Sequence, residues 1–380
     1  MVRKLVCCLL ILCGTVTAFA EPSLEVDTKV STQLVKGESG ILMEASTGDV
    51  LYEWEPDKKL QIASVTKTMT MLLIMEAIDS GKIRWEDTVT VSEHAASMGG
   101  SQVFLEVGEC MSVSDMLKAI AVASGNDAAV AMAEHIAGTH ETFVELMNRR
   151  AQELGCNNTH FINCNGLDET EDHYSCARDI AVITKELLSH PAIFDYTTIW
   201  MDTLRDGSFG LSNTNRLIRF YKGANGMKTG STSLAKYCLS ATALRDGVQL
   251  IAVVLGAPST ADRFGSATAL LDYGFANYEV AEAPEDTVTT IEVRGGKESA
   301  IPLRLEQENC IVKKGNKDKL TVTCTLPDFL RAPIKEGEPV GEAVFSIDGT
   351  QVQKTPIFAE TGVERIGIGT MYLKMLTKWL

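Results

Sequence analysis

Positive charge is scarce in this chain of 380 residues: 35 Lys and Arg stand against 50 Asp and Glu, a formal net charge of −15. That field repels a phosphate backbone, which argues against nucleic acid as a partner. Beyond the first twenty residues no stretch reaches the roughly eighteen apolar residues that a membrane-spanning helix needs. Histidines are few, and His94, His135, His140, His160, His173 and His190 lack ligand-like spacing such as His-Glu-x-x-His. Nor does any Cys-x-x-Cys occur, so neither a metal nor another cofactor is expected. The remaining composition, 45% hydrophobic and 22% charged, is that of a globular protein and excludes disorder.

The N-terminus carries Arg3 and Lys4, an apolar run from Leu5 to Leu12, then Ala18-Phe19-Ala20 ahead of Glu21-Pro22. This order reads as a secretory signal peptide over residues 1–20, and the expected location is extracytoplasmic. Leu12 is too large for a lipoprotein reading of Cys13. Removing the signal takes Cys7, Cys8 and Cys13 with it. Of the cysteines left, Cys310 and Cys324 lie symmetrically about Gly315-Asn316-Lys317-Asp318, where a disulfide across a hairpin is a hypothesis that export permits.

Two short strands, Gly40 to Met43 and Val50 to Trp54, flank the turn cluster Ser46-Thr47-Gly48-Asp49. A helix apolar on most sides follows from Ile62 to about Ser80, and Gly81 stops it. Ser112 and Asp115 form a capping signal for a helix through Val122. Ser124-Gly125-Asn126-Asp127 then separates that helix from another running to Gly138, and Phe143 to Leu154 makes a further one. Lys236 to Ala243 and Val248 to Leu255 read as a hairpin around Leu244-Arg245-Asp246-Gly247. Pro258 and Ser259 open a helix with Phe264, Ala267, Leu271 and Phe275 inward. From 284 to 365 the pattern changes to short alternating runs, including Ile301 to Leu305 and Ala343 to Ile347. An α+β domain over 21–283 followed by a small all-β domain is the expected architecture. At the end, Tyr372, Met375, Leu376 and Trp379 share a face opposite Lys374 and Lys378, an amphipathic segment (366–380) suited to a bilayer interface or to docking on the protein itself.

Three short patterns carry chemistry. Ser64-Val65-Thr66-Lys67 puts a hydroxyl and an amine on one helical face, and a lysine with a lowered pKa can serve as base for a serine nucleophile. Ser124-x-Asn126 sits in an interhelical loop, where functional polar groups are exposed, although an N-cap is the plainer reading. Lys228-Thr229-Gly230, just upstream of the hairpin, has a glycine that would let a substrate backbone come close. Ser-x-x-Lys and Ser-x-Asn are common by chance and Lys-Thr-Gly is rarer; the three in this order are far more specific.

With Ala123-Ser124-Gly125-Asn126-Asp127-Ala128, Asn158-Thr159-His160-Phe161, Gly166-Leu167-Asp168 and Ala177-Arg178-Asp179, the sequence resembles the low-molecular-mass penicillin-binding proteins, serine-type D-alanyl-D-alanine carboxypeptidases. The resemblance implies a β-lactamase/D,D-peptidase-like fold and a peptidoglycan stem peptide ending in D-Ala-D-Ala as substrate, with β-lactams as covalent inhibitors. It implies Ser64 as nucleophile, Lys67 as its base, and Ser124 as a proton relay close to Lys228, whose charge helps keep Lys67 neutral. Asn126 would bond the substrate amide, the N–H groups of Ser64 and Ser231 would form an oxyanion hole, and Thr229 and Arg263 would take the terminal carboxylate. Several family members have histidine where this chain has Ser231. A D,D-endopeptidase, a serine β-lactamase and a non-catalytic wall protein are the alternatives; the second domain disfavours the β-lactamase, and retention of Ser64, Lys67, Ser124 and Lys228 together disfavours the inactive protein.

Overall fold

The structure, a computed structural model, describes residues 33–167 and 170–367. The signal peptide, Asp168 of the Gly-Leu-Asp motif and Met371 to Leu380 lie outside these residues.

Five antiparallel strands form the central sheet: β1 (Ser39–Glu44), β2 (Val50–Trp54), β3 (Ala224–Thr232), β4 (Lys236–Arg245) and β5 (Val248–Ala257), in the order β2-β1-β5-β4-β3. The β4–β5 connection is tight because Asp246 and Gly247 take φ of 49° and 81°, the left-handed values that a primed hairpin turn requires. Almost every residue of β5 is buried, because both faces of the sheet are covered. Ile251, Val253 and Leu255 face one apolar cluster, whereas Leu250, Ala252 and Val254 face another. The period of two thus sorts a continuous apolar run onto two cores.

The longer helices are α1 (Lys67–Asp79), α2 (Val113–Ala123), α3 (Asn126–Ala137), α4 (His140–Glu153), α5 (Ala177–Leu188) and α6 (Thr260–Asn277), of which α1, α5 and α6 pack on the sheet and the others pack around α1. The segment expected as one helix from Ile62 begins as a separate 3-10 turn, Ala63–Thr66, before α1. Met69, Met71, Leu72, Ile74 and Met75 of α1 are all buried, as its all-round apolar character implies. Ser112 caps α2 by accepting from the Asp115 N–H. On α6 the inward stripe is Arg263, Ser266, Ala267, Leu270, Leu271 and Gly274, with Phe264 and Phe275 only half-buried at its edges. A phenyl ring at position 274 could not fit, since even a Cβ there would lie 2.5 Å from Leu250 Cδ1.

The all-β part holds a six-stranded sheet and a two-stranded one. In chain order its strands are β6 (Tyr278–Glu282), β7 (Thr290–Arg294), β8 (Ala300–Leu305), β9 (Asn309–Lys313), β10 (Leu320–Thr325), β11 (Leu330–Arg331), β12 (Pro339–Ile347) and β13 (Thr350–Ala359). The Cys310–Cys324 disulfide raised as a hypothesis from the sequence does not form: both thiols are free. The turn after β9 does not close a hairpin. Cys310 on β9 stands opposite Ala281 of β6, while Cys324 on β10 stands opposite Ala343 of β12.

Candidate active site

Ser64 rides on the one-turn 3-10 segment, and Lys67 is the first residue of α1, so the i, i+3 spacing brings the side chains together. Lys67 Nζ lies 3.0 Å from Ser64 Oγ. It also reaches Asn126 Oδ1 at 2.5 Å and the Asn165 carbonyl at 2.8 Å. Lys67 is wholly buried, and burial pushes its pKa from 10.5 down to about 7, against the opposing pull of Cys164 and Asp127. Burial, rather than the charge of Lys228, is therefore the leading cause. An amine near neutrality can hold its lone pair toward a serine hydroxyl at physiological pH.

Between α2 and α3 only Ser124 and Gly125 are non-helical. Ser124 adopts left-handed φ 62°, ψ 31°, and its Oγ is buried with no hydrogen-bond partner among the described residues. It does not cap α3; Gly125 occupies that position. Asn126 opens α3 with its side chain spanning the site: besides accepting from Lys67, its Nδ2 donates to the Gly99 carbonyl at 2.7 Å. One Nδ2 hydrogen is left for a ligand. The adjoining Asp127 carboxylate is tied to the backbone N–H groups of Val103 and Leu105 at 3.0 and 3.1 Å. That pins the 99–105 segment against α3.

Lys228, Thr229 and Gly230 lie on β3, which among the described residues is an edge strand paired on one side, with Thr229 opposite Leu239 and Gly230 opposite Cys238. Lys228 is buried and donates to the Thr229 carbonyl at 2.9 Å. Its pKa falls well below the usual lysine range, by burial first and then by the charges of Lys67 and Arg263. Gly230 has an internal reason beyond substrate approach. A Cβ there would sit 2.6 Å from the Ile62 carbonyl oxygen and 2.9 Å from the Ser64 nitrogen, so only glycine lets β3 rest on the turn that carries Ser64. Ser231 is exposed beyond it. Arg263, nearly buried on α6, donates through Nη1 to the carbonyls of Gly230 and Cys238 at 3.2 and 3.3 Å, and its Nε has no partner among the described residues.

Sequence reasoning missed three contributors. Asn165 serves Lys67 through a backbone carbonyl, which no side-chain motif encodes. Thr214 receives the Thr229 hydroxyl at 2.7 Å and donates its N–H to the Val122 carbonyl at 3.2 Å, linking the second and third motifs. Gly166 (φ 76°) presses on the turn that carries Ser64 so closely that a Cβ would come within 1.9 Å of the Ala63 oxygen. Its neighbourhood in the Gly-Leu-Asp motif was the one available signal.

Residues 26–259 match the D-alanyl-D-alanine carboxypeptidase family, and residues 279–365 match the C-terminal domain of penicillin-binding protein 5. The chain belongs to the D-alanyl-D-alanine carboxypeptidase family. Among its relatives, this carboxypeptidase is 45% identical over 361 residues to D-alanyl-D-alanine carboxypeptidase DacF of Bacillus subtilis, covering 93% of this chain and 92% of the relative. Among solved structures, penicillin binding protein 5 from Haemophilus influenzae superposes with a TM-score of 0.76 at 32% identity, covering 88% of this chain and 100% of the other. Penicillin-binding protein D2 from Listeria monocytogenes, in its ampicillin-bound form, matches with a TM-score of 0.59 at 29% identity, covering 64% of this carboxypeptidase and 99% of its own chain. The enzyme is a serine hydrolase of the penicillin-binding, peptidoglycan-trimming kind.

Proposed function

We propose that the enzyme removes the terminal D-alanine from peptidoglycan stem pentapeptides through a Ser64 acyl-enzyme. The carrying observation is the 3.0 Å contact between Ser64 Oγ and a fully buried Lys67 amine. Ser64 Oγ attacks the carbonyl between the two D-alanines and passes its proton to Lys67. The tetrahedral oxyanion is met by the N–H groups of Ser64 and Ser231. Ser124 relays the proton to the leaving nitrogen, D-alanine departs, and water hydrolyses the ester to restore Ser64. An extended peptide suits the edge strand β3, which has one unpaired side available for a further strand. Asn126 donates its free Nδ2 hydrogen to the peptide, and Thr229 and Arg263 hold the terminal carboxylate, with Lys228 adding positive charge.

β-Lactams present a similar carbonyl and carboxylate and would acylate the same serine. The Listeria relative seen with ampicillin supports that reading. Ser231 keeps the backbone donor but offers no imidazole to deacylation, so the penicilloyl adduct should be long-lived. We place the enzyme outside the cytoplasmic membrane, after removal of residues 1–20, with the C-terminal segment contacting the bilayer. We read the all-β part as a stalk or protein-contact module distinct from the catalytic domain, with the boundary expected at 283/284 drawn back to Tyr278, whose strand pairs with β9.

The test is intact mass over time with a penicillin, on the mature protein and on Ser64→Ala. A one-to-one adduct that persists for minutes and is absent from the variant supports the assignment, and D-alanine release from a pentapeptide completes it. Drug consumption without a lasting adduct would instead indicate a β-lactamase.

A further inference from the structure

The nucleophile's turn is a strained object. Ala63 holds φ 48°, a left-handed value that costs a non-glycine residue about 1 kcal/mol, and Ile62 supplies no side-chain cap. A buried chain of hydrogen bonds reaches this turn from a distant segment. The Ile162 N–H points at His173 Nδ1 at 3.2 Å; His173 Nε2 lies 2.7 Å from Thr66 Oγ1; Thr66 Oγ1 lies 2.7 Å from the Ala63 carbonyl oxygen.

The roles along this chain follow from its ends. A backbone N–H only donates, so Nδ1 must accept and the ring proton of the neutral imidazole sits on Nε2. Nε2–H then donates to Thr66, which leaves the Thr66 hydroxyl hydrogen for the Ala63 oxygen. His173 is 3% exposed and Thr66 wholly buried, so water does not compete. On another side of the same carbonyl, Gly166 leaves no room even for a methyl group.

The Ala63 carbonyl belongs to the same planar peptide unit as the Ser64 N–H. Fixing the oxygen fixes the direction of that N–H, and accepting a hydrogen bond polarises it as a donor. We propose that His173 is a positioning residue for the oxyanion site: acting through Thr66, it aims the Ser64 N–H by holding the Ala63–Ser64 peptide plane. The proposal rests on the reading of Ser64 as nucleophile and oxyanion donor. Because the oxyanion exists only during reaction, the effect belongs to the acylation step and not to initial binding.

Stopped-flow acylation by a fluorescent penicillin separates the two, giving the binding constant of the encounter complex and the rate constant of bond formation. His173→Asn keeps an acceptor near Nδ1 but loses the donor toward Thr66; His173→Gln places an N–H near Nε2 and restores it; Thr66→Val removes the linking hydroxyl with little change of shape. His173→Asn and Thr66→Val should slow bond formation about ten- to a hundredfold with an unchanged encounter constant. His173→Gln should recover most of the rate, and the His173→Asn/Thr66→Val double variant should be no slower than the worse single one. Thr66→Val provides the test if His173→Asn fails to fold. Folded variants that acylate at the parental rate, equal losses in the Asn and Gln variants, or a loss confined to the encounter constant would each overturn the proposal. Failure of the underlying reading looks different: the parental enzyme would then carry its adduct on a residue other than Ser64.

Discussion

On the proposed mechanism, Lys67 sets the pH dependence of acylation. Its proton must be absent for it to accept one from Ser64, and burial has brought its pKa to about 7. A shift of this size from the ordinary lysine value corresponds to about 5 kcal/mol of discrimination against the charged form. The sign is direct: the neutral, competent form dominates above the folded pKa and is lost as pH falls through it. Two units below, near pH 5, only about 1% of the enzyme is competent, so the rate should climb roughly tenfold per unit and then level off above about pH 8. The assay is the second-order rate constant for a fluorescent penicillin from pH 5 to 9, with mass spectrometry at each pH to show that Ser64 carries the label. Lys67→Arg, which cannot lose its proton in this range, should be inert throughout. A flat profile between pH 5 and 8, or a limb centred near the unperturbed lysine value, would refute the assignment of Lys67 as base.

Three further outcomes follow from packing and bonding. Gly230→Ala sets a methyl group against the Ile62 carbonyl and the Ser64 nitrogen, so it should abolish or severely slow penicillin labelling and cost about 1–3 kcal/mol in thermal unfolding. In Asp127→Asn the remaining oxygen still accepts from the Val103 and Leu105 N–H groups, which share Oδ2, but the new amide NH2 faces the Ala128 N–H that Oδ1 now accepts, which should lower stability by about 1–3 kcal/mol. Because the Asp127 charge raises the Lys67 pKa, the same variant should move the acid limb to lower pH; a shift upward would contradict the electrostatics. A thiol count on the unfolded mature protein without reductant should find Cys310 and Cys324 both reactive, and protection of the pair would contradict the strand pairing.

The parts that the sequence made legible are those whose determinants are local. Ser64 and Lys67 are one helical turn apart, Asp246-Gly247 demands its own turn, and the signal at Ser112 and Asp115 caps a helix within three residues. These interactions close over a few residues and leave a readable pattern. The disulfide hypothesis at Cys310 and Cys324 failed because a turn signal fixes a reversal of the chain and not the partner of each arm. Strand β9 finds β6 instead, a pairing across about thirty residues that nothing near the turn announces. Phe264 and Phe275 do pack against the inward cluster, but half-buried at its edges, because Ala267, Leu270, Leu271 and Gly274 occupy the centre of the stripe. Asn165, Thr214 and His173 act on the site through backbone groups or through another side chain, so their spacing from Ser64 carries no signature.

Among the described residues the partners of Lys67 and Lys228 are a hydroxyl, a side-chain amide and backbone carbonyls, with no carboxylate bonded to either amine. Such a cleft withholds a counter-ion. When a carboxylate ligand arrives, it favours the ammonium form of Lys228, and the proton needed is drawn from the medium. Ligand uptake should therefore register as a rise in pH in weakly buffered solution and as a heat of binding that changes with the ionisation enthalpy of the buffer. Anionic ligands would lose affinity as the solution becomes more alkaline, independently of the chemistry at Ser64.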